Sequence, residues 1–222
     1  MQTTKQQILV LLKRTGSVTV EEAAGALSVA SMTARQHLTG LERDGLVQSE
    51  KVRRSNGRPH YLYTLTPHGE DLFPRRYDLL ARILVDEVGR LTPEEIDGLT
   101  VADKRSLLIQ RAADRLAERY RFSVQGRSLE DRVGAVTDVL HLIGGFAEFV
   151  RCDDGFEIRD YNCVFAHLID EPGGCCEGHE RLITQLLQWP ARFEAEGSDR
   201  VHCCRYIVAT EANGQEGLLA NA

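Results

Sequence analysis

The chain has 222 residues, of which 42 % are hydrophobic, enough for one large domain or two ordinary ones with real cores. A formal net charge of −6 excludes a protein that is basic throughout, and no apolar run is long enough to cross a bilayer. The opening stretch MQTTKQQILVLLKRTG lacks a small-residue cleavage site and reads as a first helix rather than a signal peptide, so the expected location is the cytoplasm.

The distribution of charge says more than its sum. Residues 1–62 hold 9 Lys+Arg and 5 Asp+Glu, a net of +4, while the other 160 hold 18 and 28, a net of −10. A basic head on an acidic body implies that nucleic acid meets only the head.

In chain order, Thr4 to Arg14 is the first helix, with Ile8, Leu9, Leu11 and Leu12 inward and Gly16 as its stop. Thr19-Val20-Glu21-Glu22 is a capping box. It opens a second helix whose Ala23, Ala24 and Leu27 allow close helix–helix approach. A turn at Ser28-Val29 leads to a third helix, ended at Asp44-Gly45 by a left-handed cap. Met32, Leu38 and Leu41 fall at helical spacing on its apolar side. Thr33, Arg35, Gln36, His37 and Thr39 leave a polar face able to hydrogen-bond bases and phosphates. Leu46 to Val52 and His60 to Leu65 read as two strands joined through Ser55-Asn56-Gly57, a hairpin signal crowded by Arg53, Arg54 and Arg58. Residues 1–66 therefore read as a winged helix-turn-helix DNA-binding domain. Thr33, Arg35, Gln36 and His37 are the expected base readers and Ser31 and Thr39 the phosphate partners. Arg53, Arg54, Arg58 and His60 are the wing contacts. Arg35 has an alternative role, bracing the helix through a carboxylate.

Thr66-Pro67 opens another helix, expected to run through HGEDLFPRRYDLLARILVDEV with a bend at Pro74. Its stripe of Leu79, Leu80, Ile83 and Leu84, extended by Val88, suits either the chain's own core or a second subunit. Paired half-sites favour a homodimer. Thr92-Pro93-Glu94-Glu95 starts a further helix. A long one follows from Ala102 to Arg121, with Leu107, Leu108, Ala112, Leu116 and Tyr120 inward and a solvated, salt-bridged arginine face. Another runs from Ser128 to His141, so 67–142 reads as a helical linker and dimerisation region. Phe146 to Val150 and Phe156 to Tyr161 are strands about Asp153-Asp154-Gly155. A helix follows from Cys175 or Cys176 to Leu187, then a strand over Arg200 to Thr210. Residues 143–210 form an α/β domain and 211–222 a flexible tail, giving an α+β chain overall.

All six cysteines, Cys152, Cys163, Cys175, Cys176, Cys203 and Cys204, lie in that last domain. In a reducing compartment they read as metal ligands rather than disulfides. Their spacing is not that of a zinc ribbon; it draws on a post-strand loop, a helix N-terminus and a returning strand. The helix dipole favours a thiolate at Cys176. His179, one turn on, and His202 are candidate nitrogen ligands. One member of each vicinal pair is expected to be a bystander. Core packing is the plainer role for Cys152 and Cys203. The sequence holds no C-x-x-C, no phosphate-cradling glycine loop and no nucleophile elbow, which argues against an enzyme acting on a small-molecule substrate.

Ala34-Arg35-Gln36-His37-Leu38, Leu41-Glu42, Gly45-Leu46-Val47, Gly57-Arg58-Pro59, Leu65-Thr66, Gly69, Phe73-Pro74 and Tyr77 resemble the SufR-type repressors of iron–sulfur cluster biogenesis. So do Asn162-Cys163-Val164-Phe165, Cys176 and Cys204-Arg205-Tyr206. Those are winged-helix proteins often grouped with the DeoR and ArsR types. The resemblance implies a homodimer with one [4Fe–4S] cluster per subunit. Its loaded form would bind a palindromic operator and repress cluster-assembly genes, and cluster loss or oxidation would release it. Cys163, Cys176 and Cys204 match the family's ligand positions. Cyanobacterial members carry a further cysteine between the last two, whereas Glu177 to His202 contains none. The fourth ligand is then His179, Cys152, Cys175, Cys203 or a non-protein group. The alternative to a cluster is a zinc ion on a Cys₃His set.

Overall fold

A computed structural model describes residues 3–52, 60–126, 128–165, 176–194 and 203–210. These fall into two units, 3–74 and 75–194 with 203–210, each around its own core.

In the first unit, threonine caps set the helix starts. Thr3 accepts from the Gln6 amide to open α1 (Thr4–Thr15), which Gly16 ends at φ 72°. After the short β1 (Ser17–Val18), Thr19 and Glu22 cap each other's backbone reciprocally to start α2 (Val20–Leu27). Ser28 at φ 54° turns the chain into α3 (Ser31–Arg43). Then β2 (Val47–Val52) and β3 (His60–Leu65) pair antiparallel, from Val47 opposite Leu65 to Val52 opposite His60. Two residues are too short to show alternation, so β1 is invisible in the sequence; it adds to β3 in a sheet of order β1-β3-β2. Ile8, Leu12, Ala23, Ala34, Leu38 and Leu41 make the core, each full-sized side chain contributing roughly 1.5–3 kcal/mol on burial. Met32 does not join them. It is 67 % exposed, and Ala34 takes the inward position.

The helix expected across Pro74 is two helices. α4 (Pro67–Glu70) stops at once, and α5 (Tyr77–Val88) begins after the proline. Pro74 has no amide to donate, and its ring would clash with the carbonyl four residues back. The intervening Phe73 packs on the first unit's core, with the Lys13 ammonium 5.5 Å from its ring centre and paired with Glu70.

The second unit continues with α6 (Pro93–Ile96), α7 (Val101–Tyr120), a 3₁₀ turn and α8 (Leu129–Leu142). Next come β4 (Ala147–Cys152), β5 (Gly155–Asp160) and α9 (Cys176–Leu187). β6 (Arg192–Glu194) and β7 (Cys204–Ala209) complete it. The sheet is antiparallel, in order β4-β5-β7-β6. α8 and α9 pack on it, α7 on α9, and α5 on α7. The helices and the cysteine-bearing sheet thus share one core. Leu79 and Leu80 of the α5 stripe are buried there, with Ile83 and Leu84 packed against it, while Val85 and Val88 are exposed. The buried face of α7 is Ile109, Ala112, Ala113, Leu116 and Ala117; Leu107, Leu108 and Tyr120, expected inward, are only half-buried. Alanine at the contact lets α9 come close.

Candidate functional site

The cysteine site is built by strand register and helix phase. Asp160 ends β5 directly opposite Cys204, which starts β7. Side chains alternate along a strand, so Cys204, Tyr206 and Val208 share one face with Asp160, Ile158 and Phe156. α9 covers that face with Cys176, His179, Leu182, Ile183 and Leu186. Cys163 arrives from the segment after β5. Cys163, His179 and Cys204 offer donor atoms that all lie within 4.8 Å of one another, and Cys163 Sγ is 3.1 Å from His179 Nδ1.

Cys176, buried at the start of α9, is not one of the three residues whose donor atoms all lie within 4.8 Å; its thiol is tied to them by a hydrogen bond to the Cys204 sulfur. The Cys204 sulfur accepts hydrogen bonds from Cys163 first and Cys176 second, which lower its pKa from the usual thiol range. Burial works against this, and His179 adds to it. The same hydrogen bond, reinforced by burial, pushes the Cys163 thiol well up. The thiols thus share hydrogen bonds with one another, and binding a cation would release their protons.

Two buried polar atoms here have no hydrogen-bond partner among the described residues, His179 Nε2 and the Tyr206 hydroxyl. Such groups cost about 1–3 kcal/mol each when left unpaired. Burial drives the Tyr206 phenol well above its ordinary range. His179 is fully buried, edge-on to Tyr206 with ring centres 4.9 Å apart and 6.0 Å from Phe165. Its Nε2 lies 3.8 Å from Asp160 Oδ2. The other carboxylate oxygen, Oδ1, accepts from the Phe146 and Asn162 amides at 2.9 Å each. Sulfur with imidazole nitrogen is a soft donor set that suits zinc or iron–sulfur ligation.

The other candidates fall elsewhere. Cys152 is exposed at the far end of the β4–β5 pair, opposite Gly155, about 17 Å along the strand from Asp160. Cys203, partly exposed, precedes β7 and lies near Tyr161. Cys175 and His202 lie outside the described residues. Sequence reasoning missed Asp160 and Tyr206. Tyr206 carried a usable signal, two residues after Cys204 in a strand, and Asp160 carried none until the register was known.

In the first unit, α3 turns Ala34, Leu38 and Leu41 into the core. Ser31, Met32, Arg35, Gln36 and Thr39 are exposed on the opposite side, with Thr33 and His37 half-buried at its margin. Glu42 accepts from the Ser49 hydroxyl at 2.6 Å, pinning α3 to β2, and Lys5 pairs with Asp44 at 2.6 Å, tying α1 to its end. His60 opens β3, half-buried. The expected wing contacts Arg53, Arg54 and Arg58 lie outside the described residues.

Residues 5–51 match the family model of the DeoR-like helix-turn-helix domain. No curated protein matches the chain. Among solved structures, that of Bacillus subtilis PadR in complex with operator DNA is 16 % identical. The alignment covers 64 % of this chain and 94 % of that one, with a TM-score of 0.29. Among the described residues no helix is long and apolar enough to cross a membrane. The first unit is a helix-turn-helix of DeoR-like type with a two-stranded wing, and the chain that carries it is a DNA-binding transcriptional regulator.

Proposed function

We propose that the chain is a homodimeric repressor whose affinity for a palindromic operator is set by a [4Fe–4S] cluster held on Cys163, Cys176 and Cys204. The observation that carries this reading is the meeting of Cys163, His179 and Cys204, with donor atoms all within 4.8 Å of one another, together with the hydrogen bond that ties Cys176 to the Cys204 sulfur. The resemblance to SufR-type repressors adds cluster-assembly genes as the regulated set. Such a cluster, when bound, supplies sensitivity to oxygen and to iron supply. The chain's own residues do the rest. Cys163, Cys176 and Cys204 would bind as thiolates, releasing their protons as the group enters. Because the ligands belong to β7, α9 and the segment after β5, occupancy ties three parts of one core together and stabilises the second unit.

A second reading is a single zinc ion. It is favoured by the compactness of the donors, all within 4.8 Å, since a tetrahedral ion with bonds of ~2.0–2.3 Å sets its ligands about 4 Å apart. Purification without oxygen separates the two. The cluster reading expects brown protein with iron and sulfide in equal amounts, bleaching in air as operator binding, followed by fluorescence anisotropy, declines in step. Cys204→Ser should remove both the colour and the oxygen response. Colourless protein with one zinc per chain, and DNA affinity indifferent to air, would replace the cluster with zinc.

A further inference from the structure

We propose that His179 completes the donor set through Nδ1 and that Asp160 is the carboxylate that orients it. This rests on the reading of Cys163, Cys176 and Cys204 as one metal centre, and holds whether that centre is a cluster or a single ion.

The two ring nitrogens have different surroundings. Nδ1 faces the sulfurs, 3.1 Å from Cys163 Sγ. Nε2 lies 3.8 Å from Asp160 Oδ2, without a hydrogen-bond partner among the described residues. A histidine buried only for packing satisfies its polar atoms; this one leaves Nε2 short of a bond, with a carboxylate oxygen 3.8 Å away. Metal-bound histidines have that layout: one nitrogen binds, and the other donates its proton to a carboxylate that fixes tautomer and ring angle. A ligand at Nδ1 requires the proton on Nε2, which is the side Asp160 occupies. Two backbone amides already hold Asp160 Oδ1, so the carboxylate cannot swing away. The ring is clamped in turn between Tyr206 and Phe165.

Helix phase reaches the same residue independently. Cys176 and His179 are three apart at the start of α9, and both are buried on the side that covers β7. Among the described cysteines, Cys152 and Cys203 stand away from the group, so His179 is the donor that remains at the site. A neutral imidazole in place of a fourth thiolate leaves the centre one negative charge poorer. It also gives one metal position a ligand unlike the other three.

The test uses full-length protein purified without oxygen. It measures iron, sulfide and zinc per chain, the visible spectrum, and the half-life of the bound metal against a chelator. His179→Phe keeps the aromatic packing and removes the donor; it should lose metal roughly tenfold faster or more. His179→Cys should restore retention with an altered spectrum, a rescue that a packing role would not produce. Asp160→Asn keeps the shape, weakens the acceptor, and should shorten the half-life by roughly 10–100-fold. His179→Phe holding metal as long as the wild type, while Cys204→Ser loses it, would overturn the assignment and leave the centre standing. So would His179→Cys failing to recover what His179→Phe loses. If Cys204→Ser also kept its metal, the shared centre itself would fall.

Discussion

Glu157 shows how much one side chain settles on the sheet face turned away from the thiols. In the β5–β7 register Arg159 stands opposite Arg205, a like-charge pair that would repel. Glu157 lies between them, accepting from Arg205 at 2.7 and 3.1 Å and from Arg159 at 2.6 Å. These contacts, Arg205 first, bring its carboxyl from 4.5 down to about 2 although burial pushes the other way. A folded-state value below the unfolded one means stabilisation that is complete above pH 4.5 and lost as pH falls toward 2. Glu157→Gln should therefore cost roughly 3 kcal/mol at neutral pH. It should also flatten the acid limb of the stability curve. Urea denaturation at pH 7 and at a series of acid values measures both, and an unchanged acid limb would show that the charge of Glu157 is immaterial. Sequence makes some residues legible and hides others for a related reason. Cysteine is rare, so its clustering is visible without a fold. Glu157, Asp160 and Tyr206 are common types whose roles come from what the register sets beside them. Met32 is a different case: helical spacing alone could not tell whether it or Ala34 faces the core, and the smaller residue is the one that fits.

Among the elements, α9 carries the site because α7 lets it approach. A Cβ at Gly178 would lie 2.3 Å from Ile109 Cγ2, a branched atom that cannot fold away like the end of a flexible chain. Gly178→Ala should push α9 outward and cost about 1–3 kcal/mol through overpacking. Because Cys176 and His179 ride on α9, metal should leave faster as well. Ile109→Val keeps the clashing methyl, whereas Ile109→Ala removes it, so only Gly178→Ala/Ile109→Ala should recover retention. Melting temperature and chelator half-life follow the two effects separately; a loss of stability without any change in metal retention would uncouple α9 position from the site. Helix starts were readable in advance because Thr19, Thr66, Thr92 and Ser128 cap by local chemistry. β1 and β6 were not, since two or three residues show no period and exist only through their partners. At Pro74 the sequence suggests a bend where the structure has a full break; the loss of a backbone donor there coincides with Phe73 and Lys13 closing onto the first core.

Over the whole molecule, charge is divided along the sequence, with the basic share in the residues that carry the helix-turn-helix. Residues 1–62 carry +4 and the rest −10, so phosphate attraction is confined to the head and the acidic remainder opposes indiscriminate binding. Two kinds of arginine contact should then separate experimentally. Arg35 is exposed on the outer face of α3, among Gln36, Thr39 and Met32. Arg35→Ala should cost about 1–3 kcal/mol and relax preference at a single base position. Arg53, read from the sequence as a wing contact, should act on phosphate. Arg53→Ala should weaken all sequences alike and flatten the slope of log affinity against log salt by about one unit. Titrations of a matched and a scrambled duplex over a salt series distinguish these outcomes. If Arg53→Ala altered sequence preference with the slope intact, the wing would be reading bases. If Arg35→Ala lowered both duplexes equally, Arg35 would be a phosphate contact, and base recognition on α3 would pass to Gln36 and its neighbours.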